Sequence, residues 1–298
     1  MPGTLAPDDR RQPRHCDFHA HGPPEGFFEG LVVIGPPRLR LLVAHRGLPC
    51  SRQTMCNLYS IATSVAEFAR AARADGGSFH NQPPMTGVYP DYAAPVVTHD
   101  TAGGRAVRYL RWGMPSSSQA LFQAASKRAD ALRAKGQAFD FKELLRREPD
   151  RGTTNIRNTS SKHWRRWLEP ESRCLVPMTS FCEPDQVGGS RQNIWFALDE
   201  SRPLAFFAGV WTPWTCVRKT SEGEVACEVF GFLTTEANVE VRRHHDKAMP
   251  VILTAPAEWD AWMSDKPWPE VAHLQRPLPD GALKIVNRGV KQDEIAAV

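Results

Sequence analysis

Between residues 93 and 254 the chain repeats one pattern, a short run of aromatic and β-branched residues broken off at Gly, Pro, Asp or Ser. Residues 93–98, 106–112, 194–198, 204–211, 228–234 and 251–254 all follow it. Side chains of these types fit a pleated, half-buried surface, and the breaking residues supply the turns, so each run predicts a strand. Two helical stretches, roughly residues 129–147 and 256–263, interrupt the series, the second opening with Pro256, whose missing N–H costs nothing in a first turn. A further helix is announced by the capping box Ser64-Val65-Ala66-Glu67, with Val65, Phe68, Ala69 and Ala72 on one face and Asp75-Gly76-Gly77 as its stop. The expected class is α+β: a mainly antiparallel, curved or barrel-like β-sheet with flanking helices. No internal repeat is visible.

The pattern has a sharp limit at Met55. Residues 1–54 hold eight of the 25 prolines and show neither helical nor strand periodicity, so they cannot offset the entropy of ordering their backbone. We expect a disordered tail over residues 1–54 and one folded domain over residues 55–298, for which 41% apolar and 9% aromatic residues supply a core. The longest apolar runs of the tail, 31–34 and 41–44, are cut by Pro36, Pro37, Arg38 and Arg40, far short of the roughly 20 residues of a membrane span. Asp8, Asp9, Arg10 and Arg11 lead into Pro13 and Arg14 without the apolar stretch of a secretory signal. Seven cysteines form an odd set without a CxxC pair, which argues against a disulfide framework and a zinc ribbon and favours a reducing, cytoplasmic setting. A net charge of +4 decides nothing about partners, because only a local basic face would matter.

Cys56 stands out by position. It follows an internal methionine where aperiodic sequence gives way to periodic sequence. If the mature chain begins at Cys56, one residue carries both an α-amine and a thiol. The amine, titrating near 7.7–8.0, forms a Schiff base with an aldehyde at neutral pH, and the thiol then closes a five-membered thiazolidine. Cys174, Cys182, Cys216 and Cys227 read as structural. The segment His163-Trp164-Arg165-Arg166-Trp167 reads as a helix with its tryptophans toward the core, and Lys127, Arg128, Arg133 and Lys135 as a solvated helical face.

Eight segments occur in a fixed order: Met55-Cys56-Asn57-Leu58-Tyr59; Asn81-Gln82-Pro83-Pro84; Leu110-Arg111-Trp112-Gly113; Asn155-Ile156-Arg157-Asn158; Arg173 to Pro177 running on to Phe181-Cys182-Glu183; Ala208-Gly209-Val210-Trp211; Thr234 to Asn238; and His245 to Leu253. Together they resemble the SOS-response-associated peptidase (SRAP) family over about residues 55–290. The resemblance implies a sensor of abasic sites in single-stranded DNA that acts as a monomer, needs no metal or cofactor, and bonds through an amino-terminal cysteine to the ring-opened sugar. Cys56 is then the nucleophile, Glu183 the acid/base residue and His245 the histidine beside the linkage, while Asn155 and Arg157 hold the lesion and adjacent backbone. Arg111 with Trp112 supplies a cation and a flat ring for DNA, and Asn81 is grouped with them.

Glu183 follows an apolar stretch whose burial is expected to lift its pKa toward the working range, and the imidazole of His245 is expected to titrate near pH 7. The chain departs from the family pattern at Asn57 and Leu58, where many members carry Gly-Arg, and at Pro184, where an aromatic is usual. Either Met55 is the true start or a protease exposes Cys56; we favour the former. The rival readings are a thiol peptidase using Cys56, His245 and Glu183 or Asn155, and a non-covalent single-strand binding module.

Overall fold

The computed structural model describes residues 58–79 and 81–293. Met55, Cys56, Asn57 and the tail expected over residues 1–54 lie outside the described residues, as do His80 and residues 294–298.

The described chain enters through strand β1 (Leu58–Ile61) and passes into helix α1 (Val65–Ala72). The capping box forms in both directions: Ser64 Oγ accepts from the Glu67 amide at 3.3 Å, and the Glu67 carboxylate accepts from the Ser64 amide at 3.0 Å. Val65, Phe68, Ala69 and Ala72 make the buried face. There follow β2 (Met85–Val88), β3 (Ala93–His99), β4 (Arg105–Trp112), α2 (Ser118–Ala134), α3 (Phe141–Arg146), β5 (Asn155–Ile156), α4 (Lys162–Arg165), β6 (Arg173–Met178), β7 (Ser180–Pro184) and β8 (Asn193–Ala197). The chain continues with β9 (Ala205–Val217), β10 (Glu224–Thr235), α5 (Val239–Arg242), β11 (Met249–Pro250), β12 (Ile252–Leu253), α6 (Pro256–Trp262), α7 (Trp268–Val271) and β13 (Lys284–Arg288).

The single helix expected over residues 129–147 is two helices. Ser117 caps α2 by accepting from the Ala120 amide, Gly136 in the left-handed region (φ 68°) ends the run, and Asp140 caps α3. Of α2 only Ala125 and Ala129 are buried, so its amphipathic signal is too weak to mark its first turns. Strands β1, β2, β5, β6, β7, β11 and β13 had no counterpart among the expected runs. In α4 and the turn that follows it, Trp167 is buried and Trp164 half-buried against the core while Arg165 and Arg166 are exposed.

Two sheets share one core. Strands β10, β4, β3, β6 and β9 pair in succession, and β9 pairs back onto β10, closing a five-stranded barrel. Most ladders are antiparallel, as expected, but β10 runs parallel to β4 (Val229 opposite Arg111) and to β5 (Phe232 opposite Asn155). A second sheet has the order β13-β8-β7-β1-β2. It lays Tyr59 of β1 edge-on against Trp112 of β4 at 5.0 Å and Phe207 of β9 at 5.6 Å, with Phe232 of β10 completing the aromatic cluster. Thr179 joins the sheets: its flanks are β6 in the barrel and β7 in the second sheet, and its amide donates to Ser60 O at 2.8 Å. Among the described residues no helix is long and apolar enough to cross a membrane.

Candidate functional site

Strand β7 is buried along most of its length, and Glu183 lies on it with 1% exposure, opposite Ile194 of β8. On the other side of β7, Leu58 pairs with Cys182. The second half of the site comes from the far end of β10. Asn238, 3% exposed, caps α5 by accepting from the Val241 amide at 3.2 Å. The short helix delivers His245, whose amide donates back to Val241 O at 2.7 Å. The chain then returns to β10 as β11, with Met249 opposite Thr235. His245 is held between two segments that are both anchored on one strand, and its side chain is fully buried.

Glu183 Oε2 lies 3.8 Å from His245 Nδ1. The same nitrogen accepts a hydrogen bond from the Gln186 amide, Nε2 to Nδ1 at 2.9 Å. Burial pushes the imidazole below the ordinary histidine value of 6.5, Asp246 opposing and Lys247 adding to the shift, so the ring is neutral at pH 7 rather than half-charged as expected from the sequence. Acid works against this pocket: as pH falls below 6.5 the unfolded chain takes up a proton that the buried ring refuses, and stability drops through that window.

Arg157, whose side chain is 44% exposed, donates through Nη1 to Thr235 O at 2.9 Å and to Lys247 O at 2.7 Å. It staples the end of β10 to the segment that carries His245. Asn155 is buried on β5, its Nδ2 donating to Thr154 Oγ1 at 2.9 Å. Asn81 is exposed in the segment that leads into β2. Cys56 lies outside the described residues.

Arg111 and Trp112 occupy a different place. The indole of Trp112 has no exposed surface; it packs on Phe232 at 5.3 Å and donates to Thr154 O at 3.3 Å. Arg111 makes a two-pronged pair with Asp91 (2.6 and 2.8 Å) and reaches Glu222 at 3.1 Å. A ring with no free face cannot stack on a base, and a guanidinium only 14% exposed and already held by two carboxylates, one of them shared with Arg218 and Lys219, is a poor phosphate ligand. Both act in the framework, and the expected DNA contact from this pair is withdrawn. Trp112→Ala should cost about 3–5 kcal/mol of stability, measured by chemical denaturation. Trp112→Phe should leave DNA affinity unchanged.

Sequence reading missed Gln186, Arg243 and Lys247. The last two are exposed cations flanking the buried His245, and their only signal was the basic character of the segment around it. Among the described cysteines, Cys174 and Cys182 are buried, which pushes their thiols up. Cys216 and Cys227 are half-buried on neighbouring strands, and the contact holds Cys227 down to about 7.

The molecule is thus a closed β-barrel with a second sheet, bearing a buried carboxylate–imidazole pair. The family model for SOS response associated peptidases (SRAP) matches residues 55–292, and the chain belongs to that family. A search of curated proteins gave no match. Solved structures of the same fold include a protein from Bacteroides thetaiotaomicron, 18% identical over 77% of this chain and 90% of the other, with a TM-score of 0.54. A protein from Bordetella bronchiseptica is 19% identical over 77% and 97% of the two chains, TM-score 0.51. A phage-related protein from Bordetella bronchiseptica is 18% identical over 77% and 92%, TM-score 0.50. Family membership places the chain in the SOS response and implies interaction with DNA.

Proposed function

We propose that this protein senses abasic sites in single-stranded DNA and bonds to them through an amino-terminal Cys56. The observation that carries the reading is the register of β1: Leu58 sits opposite Cys182, next to Glu183, whose carboxylate stands 3.8 Å from His245 Nδ1. Two peptide units span at most about 7 Å, and the pairing of Leu58 with β7 supports a Cys56 tethered near the strand that carries Glu183.

The chemistry follows from the groups. The α-amine adds to the aldehyde carbon of the opened sugar to give a carbinolamine; loss of its hydroxyl as water leaves an imine. The thiol sulfur then bonds to the imine carbon while its proton passes to nitrogen, closing the thiazolidine. Each step moves a proton at the amine or at a sugar oxygen, work suited to a buried carboxylate such as Glu183. His245, neutral at pH 7, offers a hydrogen-bond donor to the same region, and Arg157, Arg243 and Lys247 offer charge to phosphate. Asn155 and Asn81 are assigned to lesion and strand contacts with them.

A chain beginning at Cys56, incubated with an abasic single-stranded oligonucleotide, should give a heat-stable adduct seen as a denaturing-gel shift and as a mass increase. A full-length chain that cleaves its own tail, while the chain beginning at Cys56 gives no adduct, would support the thiol peptidase reading instead. Retention on intact and abasic strands alike, without an adduct, would reduce the protein to a binding module.

A further inference from the structure

Two groups compete for one nitrogen. His245 Nδ1 has the Gln186 amide at 2.9 Å and the Glu183 carboxylate at 3.8 Å. The two neighbours demand opposite things of it. An amide NH₂ only donates, so against it Nδ1 must keep its lone pair, and the proton of a neutral ring then sits on Nε2. A carboxylate only accepts, so against it Nδ1 would carry a proton and the ring would tend toward the cation. We infer that Gln186 is a positioning residue that fixes the proton of His245 on Nε2 and keeps the ring uncharged beside Glu183.

The rest of the loop is built to hold that amide in place. The Gln186 backbone N–H donates to His244 O at 2.9 Å, and Asp185 Oδ1 meets His244 Nδ1 at 3.2 Å. Asp185 is itself fixed, its amide donating to Gln192 O at 2.7 Å and its carbonyl accepting from the Arg191 amide at 2.8 Å. The loop between β7 and β8 and the segment after α5 are therefore zipped together by three contacts from two consecutive residues on each side. Other charges near the ring are Asp246 and Lys247, its chain neighbours, which act in opposite directions, and Arg157, which holds the Lys247 carbonyl. With the amide in place, His245 and Glu183 do not merge into one ion pair. Nε2–H stays a donor.

This inference rests on the proposed crosslinking reaction only for its kinetic part. Protein labelled with ¹⁵N-histidine, without DNA, should show His245 with a protonated Nε2 and an unprotonated Nδ1 through neutral pH. In Gln186→Met, which keeps the length and loses the donor, the proton should move to Nδ1 and the ring's titration midpoint should rise by about one unit or more, the usual effect of a carboxylate at that distance. Gln186→Glu should raise it further, and serves as the folded control if Met disturbs the loop. The acid limb of the adduct-formation rate should move by the same amount. A protonated Nδ1 in the unaltered protein, or an unchanged titration in both variants, overturns the inference. Absence of any adduct from unaltered protein that does show the Nε2–H form would defeat the crosslinking reading and leave the tautomer assignment standing.

Discussion

Cys56→Ser, made in a chain that begins at residue 56, should abolish heat-stable adducts with abasic single strands. The serine variant keeps its α-amine and so still forms an imine, but a hydroxyl in place of the thiol closes no comparably stable ring, and the imine hydrolyses on work-up. Borohydride, which reduces the imine to a secondary amine, should recover the missing crosslink. An extended chain in which Cys56 is internal should give nothing under either condition, because its nitrogen is an amide. A heat-stable adduct from the serine variant would move the nucleophile elsewhere. Cys227, half-buried and held down to about 7 by the adjoining Cys216 thiol, would then be the first residue to replace.

Glu183→Gln should slow adduct formation by about 10²–10⁴-fold, the usual contribution of a positioned general acid or base. The amide has nearly the carboxylate's shape, so it fits the buried site on β7 while losing the ability to take and return a proton. Affinity for an uncleavable abasic analogue should therefore change little. If affinity falls in step with the rate, Glu183 is holding DNA or the fold rather than moving protons. His245→Ala is expected to behave differently. The buried ring is held below the ordinary histidine value, with burial as the main cause, so in the proposed reaction it acts through a hydrogen bond and not through a charge, and its loss should lengthen the life of an adduct once formed. A time course of formation and release from pH 5 to 9 separates the two residues.

The two sheets were legible wherever a strand has one wet face or ends at a strong turn, as in β3 and β4 of the barrel and β8 of the second sheet. It was not legible in β6 and β7. All six residues of β6 are buried, so no alternation marks it, and Pro177, next to its last residue, reads as a breaker. Its pairing with β9, Pro177 opposite Phe206, is decided by the barrel and not by local preference. Strand β1 is only four residues long and starts where the periodic sequence begins, which leaves too few positions to count a period. At the site, the ordered motifs named Glu183, His245, Asn155 and Arg157. Composition could not tell a stacking tryptophan from a core one, and Trp112 was misjudged for that reason. Gln186 was invisible because a glutamine in a polar loop gives no hint that its partner is a histidine 59 positions away.

The parallel pairing of β4 with β10 bears on how the protein comes into being on the ribosome. Synthesis runs from the amino terminus, so β3 and β4 emerge as a hairpin long before β6, β9 and β10 exist to complete the ring. Until β10 is made, Trp112 has neither Phe230 nor Phe232 to pack against, and closure over such sequence separations is slow. Glu183, Gln186 and His245 come from the later part of the chain. A nascent polypeptide thus carries no assembled acid–histidine pair until residue 245 has left the exit tunnel, and an unfinished copy lacks one or both of these groups for the proposed reaction.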